Sequence, residues 1–200
     1  MHTRRSPRLN QHATEGRARR AMSKERDLIL PGMPQPGGRW AELGSGTGIF
    51  TLTLRDVLGE QVEIFSVDRD AGALDRQRRA FAERYPDANV HFIQADFTHP
   101  LDLPPLDGIL MANSLHFVKG GQQAVVLQQV CRHLKPDGGK LVIVEYNAER
   151  GNMWVPYPVS YDAFVRLAAT AGLRNVRQLA AVPSRFLREM YSALGERRAS

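Results

Sequence analysis

Three glycines on alternate positions follow a short apolar stretch, and they mark the segment of this sequence best suited to hold a ligand. The segment reads Trp40-Ala41-Glu42-Leu43-Gly44-Ser45-Gly46-Thr47-Gly48-Ile49-Phe50. Glycine has no Cβ, so its backbone adopts positive φ readily and lets a ligand approach closely. The amides at the start of a following helix attract anionic or carbonyl groups. The pattern therefore predicts a turn that binds a flat, polar ligand.

The spacing of these glycines argues against a dinucleotide. The dinucleotide fingerprint is G-x-G-x-x-G, and counting from Gly44 puts Ile49 in the place of its third glycine. NAD is therefore disfavoured. Asp68, at the end of the second predicted strand, is a carboxylate that can accept hydrogen bonds from both hydroxyls of a ribose. Its position also suits a dinucleotide site, so it does not decide the ligand alone.

The elements that must position the glycine turn alternate between short apolar strands and longer helical stretches. Strands are predicted at 39–43, 62–68, 90–94, 107–112, 140–146, 175–181 and 186–193, and helices at 48–58, 71–85, 121–134 and 161–171. This alternation is typical of βαβ units and a parallel sheet. Pro183-Ser184 indicates a hairpin between the last two strands. An earlier short helix is predicted from an N-cap at Ser23 to a stop at Pro31.

The residues that close the predicted strands form a coherent set, because ligands bind beyond the carboxyl ends of parallel strands. The third strand closes on Gln94-Ala95-Asp96-Phe97, an acid beside an aromatic residue. That pair suits an adenine held by one hydrogen bond from its amino group and by a flat apolar contact. The fourth strand closes on Met111-Ala112-Asn113-Ser114-Leu115-His116-Phe117.

The pattern Glu42-x-Gly44-x-Gly46-x-Gly48, followed by these strand ends in this order, resembles the class I S-adenosylmethionine-dependent methyltransferases over roughly residues 39–147. The resemblance implies an α/β fold with a Rossmann-like, seven-stranded, mostly parallel sheet. Its strand order would be 3-2-1-4-5-7-6, with the last strand antiparallel and helices on both faces. It also implies S-adenosylmethionine as cofactor and S-adenosylhomocysteine as product.

The same resemblance assigns residues to the cofactor. Glu42 would lie near the amino end of the methionine part, Asp68 would bind the ribose, and Asp96 would bind the adenine amino group. The backbone amide of Phe97 would meet the adenine edge, and residues 113–115 would line the methionine side through backbone groups. The full predicted set is Glu42, Gly44, Ser45, Gly46, Gly48, Asp68, Arg69, Asp96, Phe97, Asn113, Ser114 and Leu115.

Methyl transfer from a sulfonium needs orientation, desolvation and sometimes removal of a proton from the acceptor, so few catalytic residues are required. His116 and Tyr146 are the candidates. His116 could pack against the cofactor, satisfy a backbone carbonyl or act as a general base. Side chains alternate along a strand, so only one of Glu145 and Tyr146 is expected to face the substrate side.

The acceptor is less defined than the cofactor. The loop after the fourth strand does not read Asn/Asp-Pro-Pro-Tyr/Phe, which disfavours amino-methylating DNA enzymes and their glutamine-methylating relatives. Cys131 is not in a Pro-Cys pair, as a cytosine-C5 nucleophile would be. Trp154 and Tyr157 either form the walls of an acceptor pocket or cover the sheet edge. The preferred hypothesis is a small, apolar or phenolic acceptor bound under residues 154–158.

Other functions stay open at this point. An RNA- or DNA-directed methyltransferase would use the basic residues near the amino end. A module that binds S-adenosylmethionine without catalysis is a second alternative, and an NAD-dependent reductase is the least favoured. The six histidines are scattered and accompanied by one cysteine, so no metal is predicted.

The distribution of charge divides the chain into a basic amino-terminal part and a nearly neutral remainder. The net charge of +6 comes mostly from residues 1–21, where six arginines face a single glutamate. We expect residues 1–21 to be a disordered, Arg-rich extension and residues 22–200 to be a single methyltransferase domain, with Met22 as a possible natural start. A nucleic-acid arm or a transit segment is the alternative for the extension.

The sequence also bears on cellular location, on the state of the cysteine and on oligomeric state. The chain has neither an apolar run long enough to span a membrane nor a secretory signal pattern, which predicts a cytoplasmic protein. Its one cysteine, Cys131, is expected to be a buried structural thiol. A monomer or a homodimer is equally compatible with the sequence.

Overall fold

The computed structural model describes residues 24–33 and 35–198, and within them the chain forms one seven-stranded sheet with helices on both faces. The strands are β1 Gly38–Leu43, β2 Val62–Asp68, β3 Asn89–Gln94, β4 Gly108–Ala112, β5 Lys140–Tyr146, β6 Leu173–Pro183 and β7 Glu189–Arg197. After a short α-helical stretch at residues 24–29, the helices are α1 Ile49–Leu58, α2 Ala71–Arg84, α3 Gly120–Cys131 and α4 Tyr161–Thr170, with 3-10 turns at Leu30–Gly32 and Leu115–Phe117.

The strand order is β3-β2-β1-β4-β5-β7-β6, as predicted. Strands β1 to β5 pair in parallel, and β7 is antiparallel to both β5 and β6. The predicted fold class is confirmed. The N-cap at Ser23 and the predicted extension at residues 1–21 lie outside the described residues. The α-helical part of the first predicted helix covers residues 24–29, and the 3-10 turn that follows it contains Pro31.

The hairpin at the end of the chain is present, but its strands are displaced from the prediction. Strand β6 continues to Pro183, and β7 begins only at Glu189. The turn between them is closed by the Ser184 amide, which donates to the Arg188 carbonyl at 2.9 Å. Arg188 has a φ of 26°, so the backbone cannot yet extend as a strand there.

Two apolar layers hold the helices against the sheet, because successive side chains of a strand point to opposite faces. In β4, Ile109 and Met111 join the layer that packs against α3 and α4, while Leu110 and Ala112 join the layer that packs against α1. The buried central strands therefore carry continuous apolar runs rather than alternating ones, as is usual for a parallel sheet covered on both faces.

The strand order reverses between β1 and β4, which are neighbours although they are not consecutive in the chain. In such sheets the crevice beyond the carboxyl ends of the strands at this switch point is the usual place for a ligand. Here the glycine turn follows β1, and residues 113–117 follow β4. No helix in the described ranges is long and apolar enough to cross a membrane.

Candidate active site

The glycine turn between β1 and α1 has the backbone conformation that its sequence predicts. Gly44, Gly46 and Gly48 all have positive φ, at 77°, 54° and 88°. The amides of Gly44 and Ser45 both donate to the Val67 carbonyl, at 2.9 and 3.0 Å. A Cβ on Gly44 would lie 2.5 Å from the Ser114 Cβ, so the turn packs directly against the loop after β4. Glycine is therefore required at position 44 by conformation and by packing.

A cavity of about 300 Å³ opens beside this turn, at the carboxyl ends of the strands. Its wall contains eight of the predicted cofactor residues, namely Gly44, Gly46, Asp68, Arg69, Asp96, Phe97, Asn113 and Ser114. Ala95, Phe117 and Val118 also line it and were not predicted to do so. Glu42, Ser45, Gly48 and Leu115 do not line it. The strand ends that the sequence grouped together thus meet around one cavity.

The polar groups of this cavity are only partly satisfied by the protein. The side-chain oxygens Asn113 Oδ1 and Ser114 Oγ are buried and have no hydrogen-bond partner among the described residues. An unsatisfied buried polar group is costly, and such groups commonly mark a place where a ligand or water binds. A ligand with polar groups of its own fits this wall.

Asp68 and Asp96 are held in place by backbone groups. Asp68 accepts from the Gly46 amide at 2.7 Å and from the Asp70 amide at 2.8 Å. Asp96 accepts from the amide and the hydroxyl of Thr98, at 2.9 and 2.7 Å. Burial raises the pKa of Asp96, but the two bonds from Thr98 and the nearby positive charges of His99 and Arg69 together outweigh it, so that pKa lies below its ordinary value. Both carboxylates are preoriented acceptors.

Glu42 lies beneath the glycine turn instead of in the cavity wall. Its side chain is 1% exposed and forms a short hydrogen bond with the Thr51 hydroxyl. Burial raises its pKa to about 8, partly offset by Thr51 and reinforced by the negative charge of Asp68. Thr51 also lies 3.1 Å from the amide oxygen of Gln77, a buried residue of α2 that the sequence did not single out.

His116 is buried beside the cavity and is held by Glu145. Its Nδ1 lies 2.7 Å from one oxygen of that carboxylate, and its backbone amide donates to the other at 3.2 Å. Nδ1 therefore bonds a carboxylate and not a backbone carbonyl. Tyr146 packs edge-on against the same imidazole at 5.5 Å. Glu145 and Tyr146 thus both contact His116, which lies in the 3-10 turn just beyond the strand ends.

Tyr146 is almost fully buried. Burial, and then the negative charge of Glu145, raise the pKa of its phenol, while Arg185 lowers it less. Tyr146 is therefore a neutral phenol at physiological pH.

One exposed aromatic residue, Phe117, borders the cavity on the side of His116, and two more lie in a segment bonded to His116. Phe117 is 60% exposed, lines the cavity and packs against the His116 ring at 4.4 Å. Trp154 and Tyr157 are 64% and 40% exposed and do not line the cavity. Their segment is nevertheless fixed to the site, because the Tyr157 amide donates to the His116 carbonyl at 3.1 Å.

A second cleft, of about 490 Å³, lies at the opposite edge of the sheet. Trp40, Asp107 and Lys140 line it, near the amino ends of β1, β4 and β5. Although it is larger, it lies away from the carboxyl ends where ligands bind in this architecture. Asp107 is also already engaged, by the Arg39 amide and the Lys135 ammonium.

The sheet order, the glycine turn and the crevice at the switch point define a class I methyltransferase architecture. A family model described as a methyltransferase domain matches residues 41–138, which run from the second half of β1 through the turn and β4 to just before β5. The chain belongs to the class I S-adenosylmethionine-dependent methyltransferases.

Individual relatives support this membership at a distance. The chain is 30% identical over 150 residues to a ubiquinone/menaquinone biosynthesis C-methyltransferase of Azotobacter vinelandii, covering 72% of this chain and 58% of that protein. It therefore spans little more than half the length of that curated relative.

Two solved structures share the fold over most of the chain. The YcgJ protein of Bacillus subtilis superposes with a TM-score of 0.71 at 14% identity, over 89% of this chain and all of that one. A Burkholderia thailandensis 1,6-didemethyltoxoflavin-N1-methyltransferase, solved with bound 1,6-didemethyltoxoflavin and S-adenosylhomocysteine, superposes with a TM-score of 0.69 at 14% identity, over 99% of this chain and 93% of that one.

Proposed function

We propose that this chain binds S-adenosylmethionine in the cavity beside the glycine turn and transfers its methyl group to a small acceptor. The observation that carries the proposal is the meeting of Asp68, Asp96 and the unpartnered oxygens of Asn113 and Ser114 around one cavity. When bound, S-adenosylmethionine supplies a methyl group activated by its positively charged sulfur.

The chain's own residues would hold the cofactor by complementary hydrogen bonding. Asp68 retains free lone pairs for the ribose hydroxyls, and Asp96 for the adenine amino group. The unpartnered oxygens of Asn113 and Ser114 suit the polar methionine end, in addition to the backbone contacts predicted for this loop. Phe97 lies against Gly44 and gives the cavity an apolar wall.

Calorimetric titration with S-adenosylmethionine and S-adenosylhomocysteine tests this proposal. We expect micromolar binding that Asp68→Ala abolishes, because it removes the proposed ribose acceptor and frees the Gly46 amide. Asp75→Ala is the matched control, since Asp75 is an exposed residue of α2 whose carboxylate pairs with Arg78. NADH should not bind. The proposal would be abandoned if the wild-type protein bound neither sulfur compound.

The acceptor, we infer, is apolar or phenolic and enters on the side of the exposed aromatic residues. Phe117 links the cofactor cavity to His116, because it lines the cavity and packs against the His116 ring. The segment that contains Trp154 and Tyr157 is bonded to His116 through the Tyr157 amide and offers further flat apolar surface. Aromatic surface exposed beside a cavity is a typical feature of a site for an apolar ligand.

His116 is our candidate for the general base. Glu145 engages Nδ1, which fixes the ring and leaves Nε2 as the atom that exchanges a proton with the acceptor. A base of this kind typically contributes about 10²–10⁴-fold to a rate. Tyr146, a neutral phenol, would orient the imidazole and the acceptor.

Turnover of an acceptor found by screening phenols and quinols tests both roles. Glu145→Gln should lower kcat by about 10²-fold or more, because the glutamine oxygen stays on the His116 amide and its NH2 donates to Nδ1, which puts the ring proton on Nε2, whereas the exposed Glu149→Gln should not. Trp154→Ala and Tyr157→Ala should raise KM for the acceptor. All these variants should keep the wild-type affinity for S-adenosylmethionine. Cofactor binding without turnover of any acceptor would instead favour a binding module.

The finer points of the function stay predictions. The relative from Azotobacter vinelandii is named a C-methyltransferase, which favours a carbon acceptor, and NMR of the methylated product would identify the atom. The basic residues on which a nucleic-acid substrate would depend lie mostly outside the described part of the chain. A cytoplasmic location and a monomeric or homodimeric state are proposed from the sequence.

A further inference from the structure

Five polar side chains form a buried network beneath the glycine turn. They come from β1, the turn, α1, β2 and α2, and none is more than 5% exposed. They are Glu42, Ser45, Thr51, Ser66 and Gln77. None of them lines the cavity, and apart from Glu42 and Ser45 none was predicted to take part in cofactor binding. A buried network of this kind requires each member to find its partners.

Gln77 is the centre of this network. Its amide nitrogen donates to the Ser45 hydroxyl at 2.8 Å and to the Gly46 carbonyl at 2.7 Å. Its amide oxygen lies 2.9 Å from the Ser66 hydroxyl and 3.1 Å from the Thr51 hydroxyl. Two donors and two lone pairs are all that a side-chain amide offers, so Gln77 is fully engaged. It bonds three of the other four elements directly, namely the turn, α1 and β2, and it reaches Glu42 of β1 only through Thr51.

Counting hydrogens shows how the network is satisfied. The hydroxyl oxygens of Ser45 and Ser66 lie 2.8 Å apart, and each hydroxyl has one hydrogen. If Ser66 and Thr51 donate to the Gln77 oxygen, Ser45 must therefore be the donor to Ser66. The short contact between Thr51 and Glu42 then needs a proton on Glu42, in keeping with the raised pKa of that carboxyl. Every member is satisfied in this arrangement.

Gln77 and Asp68 hold opposite sides of the same residue. The Gln77 amide binds the carbonyl of Gly46, and the Asp68 carboxylate binds its amide at 2.7 Å. Gln77 also packs under Gly48, because a Cβ there would come within 2.5 Å of the Gln77 Cγ. The Gln77 side chain therefore contacts two of the three positive-φ glycines of the turn, Gly46 and Gly48.

We propose that Gln77 is a positioning residue for the cofactor turn, which holds residues 45–48 in the conformation that binds S-adenosylmethionine. The proposal takes its ligand, S-adenosylmethionine, from the proposed function. The expected effect of Gln77 on the mobility of the turn does not depend on that function. Without Gln77 the turn becomes mobile, and a ligand has to order it on binding.

Gln77→Met tests the proposal, because methionine fills a similar volume without polar groups. We expect affinity for S-adenosylhomocysteine to fall about tenfold or more, and amide hydrogen exchange at residues 44–48 to become faster in the unliganded protein. Thr53→Val is the control. Thr53 is equally buried on α1, but its hydroxyl bonds the Ile49 carbonyl of its own helix. That variant should change neither quantity.

Gln77→Glu adds a readout that a merely structural residue would not change. A carboxylate cannot donate to Ser45 and Gly46, whereas a protonated carboxyl regains one donor. The affinity ratio of wild type to variant should therefore be large at pH 8 and smaller at pH 5. The ionisable side chains of the described residues that face the network are Glu42 on β1 and Asp68 at the end of β2, whereas α1 and α2 contribute the uncharged Thr51 and Gln77.

The outcomes separate this inference from the proposed function. Binding of Gln77→Met within twofold of wild type, with unchanged exchange at the turn, would overturn it. If the wild-type protein binds no sulfur compound, the proposed function fails and hydrogen exchange alone decides the role of Gln77. If Gln77→Met does not fold, Thr51→Val replaces it, and weaker binding than in Thr53→Val supports the proposal while equal binding overturns it.

Discussion

At the scale of single residues, Gly44 combines a conformational and a packing requirement. Its φ of 77° is unfavourable for a residue with a Cβ, and that Cβ would meet Ser114 at 2.5 Å and Phe97 at 3.2 Å. Gly59, at the end of α1, also has a positive φ, of 80°, but a Cβ there meets nothing within 4 Å. The two positions therefore separate backbone strain from disturbance of the cavity.

We predict that Gly59→Ala lowers the free energy of unfolding by about 1–3 kcal/mol, because its φ of 80° and ψ of −169° suit only glycine, and leaves cofactor affinity unchanged. Gly44→Ala should cost at least as much stability and also weaken binding of S-adenosylhomocysteine by on the order of tenfold or more, because it moves the loop after β4. Urea denaturation and calorimetry measure the two effects. Equal affinities in the two variants would show that the contact between the turn and Ser114 is not needed for binding.

At the scale of elements, the segment over residues 152–157 depends on Asn152. Its side-chain oxygen accepts from the amides of Trp154 and Val155 at 2.8 and 2.9 Å. Its side-chain nitrogen donates to the Phe186 carbonyl, in the turn between β6 and β7, at 3.1 Å. One side chain thus shapes the segment and attaches it to the hairpin.

Two substitutions of Asn152 divide these roles. Asn152→Ala removes all three bonds and should speed amide exchange across residues 152–157, with a lower turnover of the acceptor. Asn152→Asp keeps the acceptor oxygen and loses only the bond to Phe186, so its exchange should be intermediate. Neither variant should alter S-adenosylmethionine affinity. Exchange rates as slow as in the wild type for both variants would contradict this role.

The elements that could be predicted closely are those whose signals are local. Strands β2 and β5 match residue for residue, because each is a buried apolar run bounded by turn or polar residues. Strand β6 is an edge strand with mostly half-buried or exposed residues, and pairing with β7 rather than its own pattern sets its length. Its start was also obscured by Asn175, which has a positive φ.

The same distinction applies to the site. The glycine spacing and the strand ends are short motifs, so most of the cavity wall could be predicted from them. Gln77 bonds residues that lie far from it in the chain, and its only signal was a polar residue on the buried stripe of α2 between Leu74 and Phe81. Such a residue is recognisable as unusual, but its partners depend on how α1, α2 and the turn pack.

At the scale of the whole molecule, Glu42 should make stability depend on pH. Its folded-state pKa of about 8 exceeds the ordinary value of 4.5, so the folded protein binds a proton that the unfolded chain has lost. This contribution is fully present below about pH 4.5 and is lost as pH rises through about 8. The free energy of unfolding should therefore fall across this window.

Glu42→Gln, a neutral isostere, isolates this effect. We expect the wild type to lose on the order of a few kcal/mol relative to the variant between pH 5 and pH 8. Urea denaturation of both proteins at several pH values measures the difference, in which the contributions of all other groups cancel. Parallel pH profiles would show that Glu42 does not carry a proton in the folded state.

The position of β7 between β5 and β6 has a consequence for synthesis of the protein. As the chain leaves the ribosome, β1 to β4 and the glycine turn emerge first, and β7 is the last strand of the described residues to follow. Until it arrives, β5 and β6 each present an unpaired edge, and unpaired edges invite association with other chains. The nascent protein would then be most prone to aggregation just before β7 inserts, when its cofactor half is already complete.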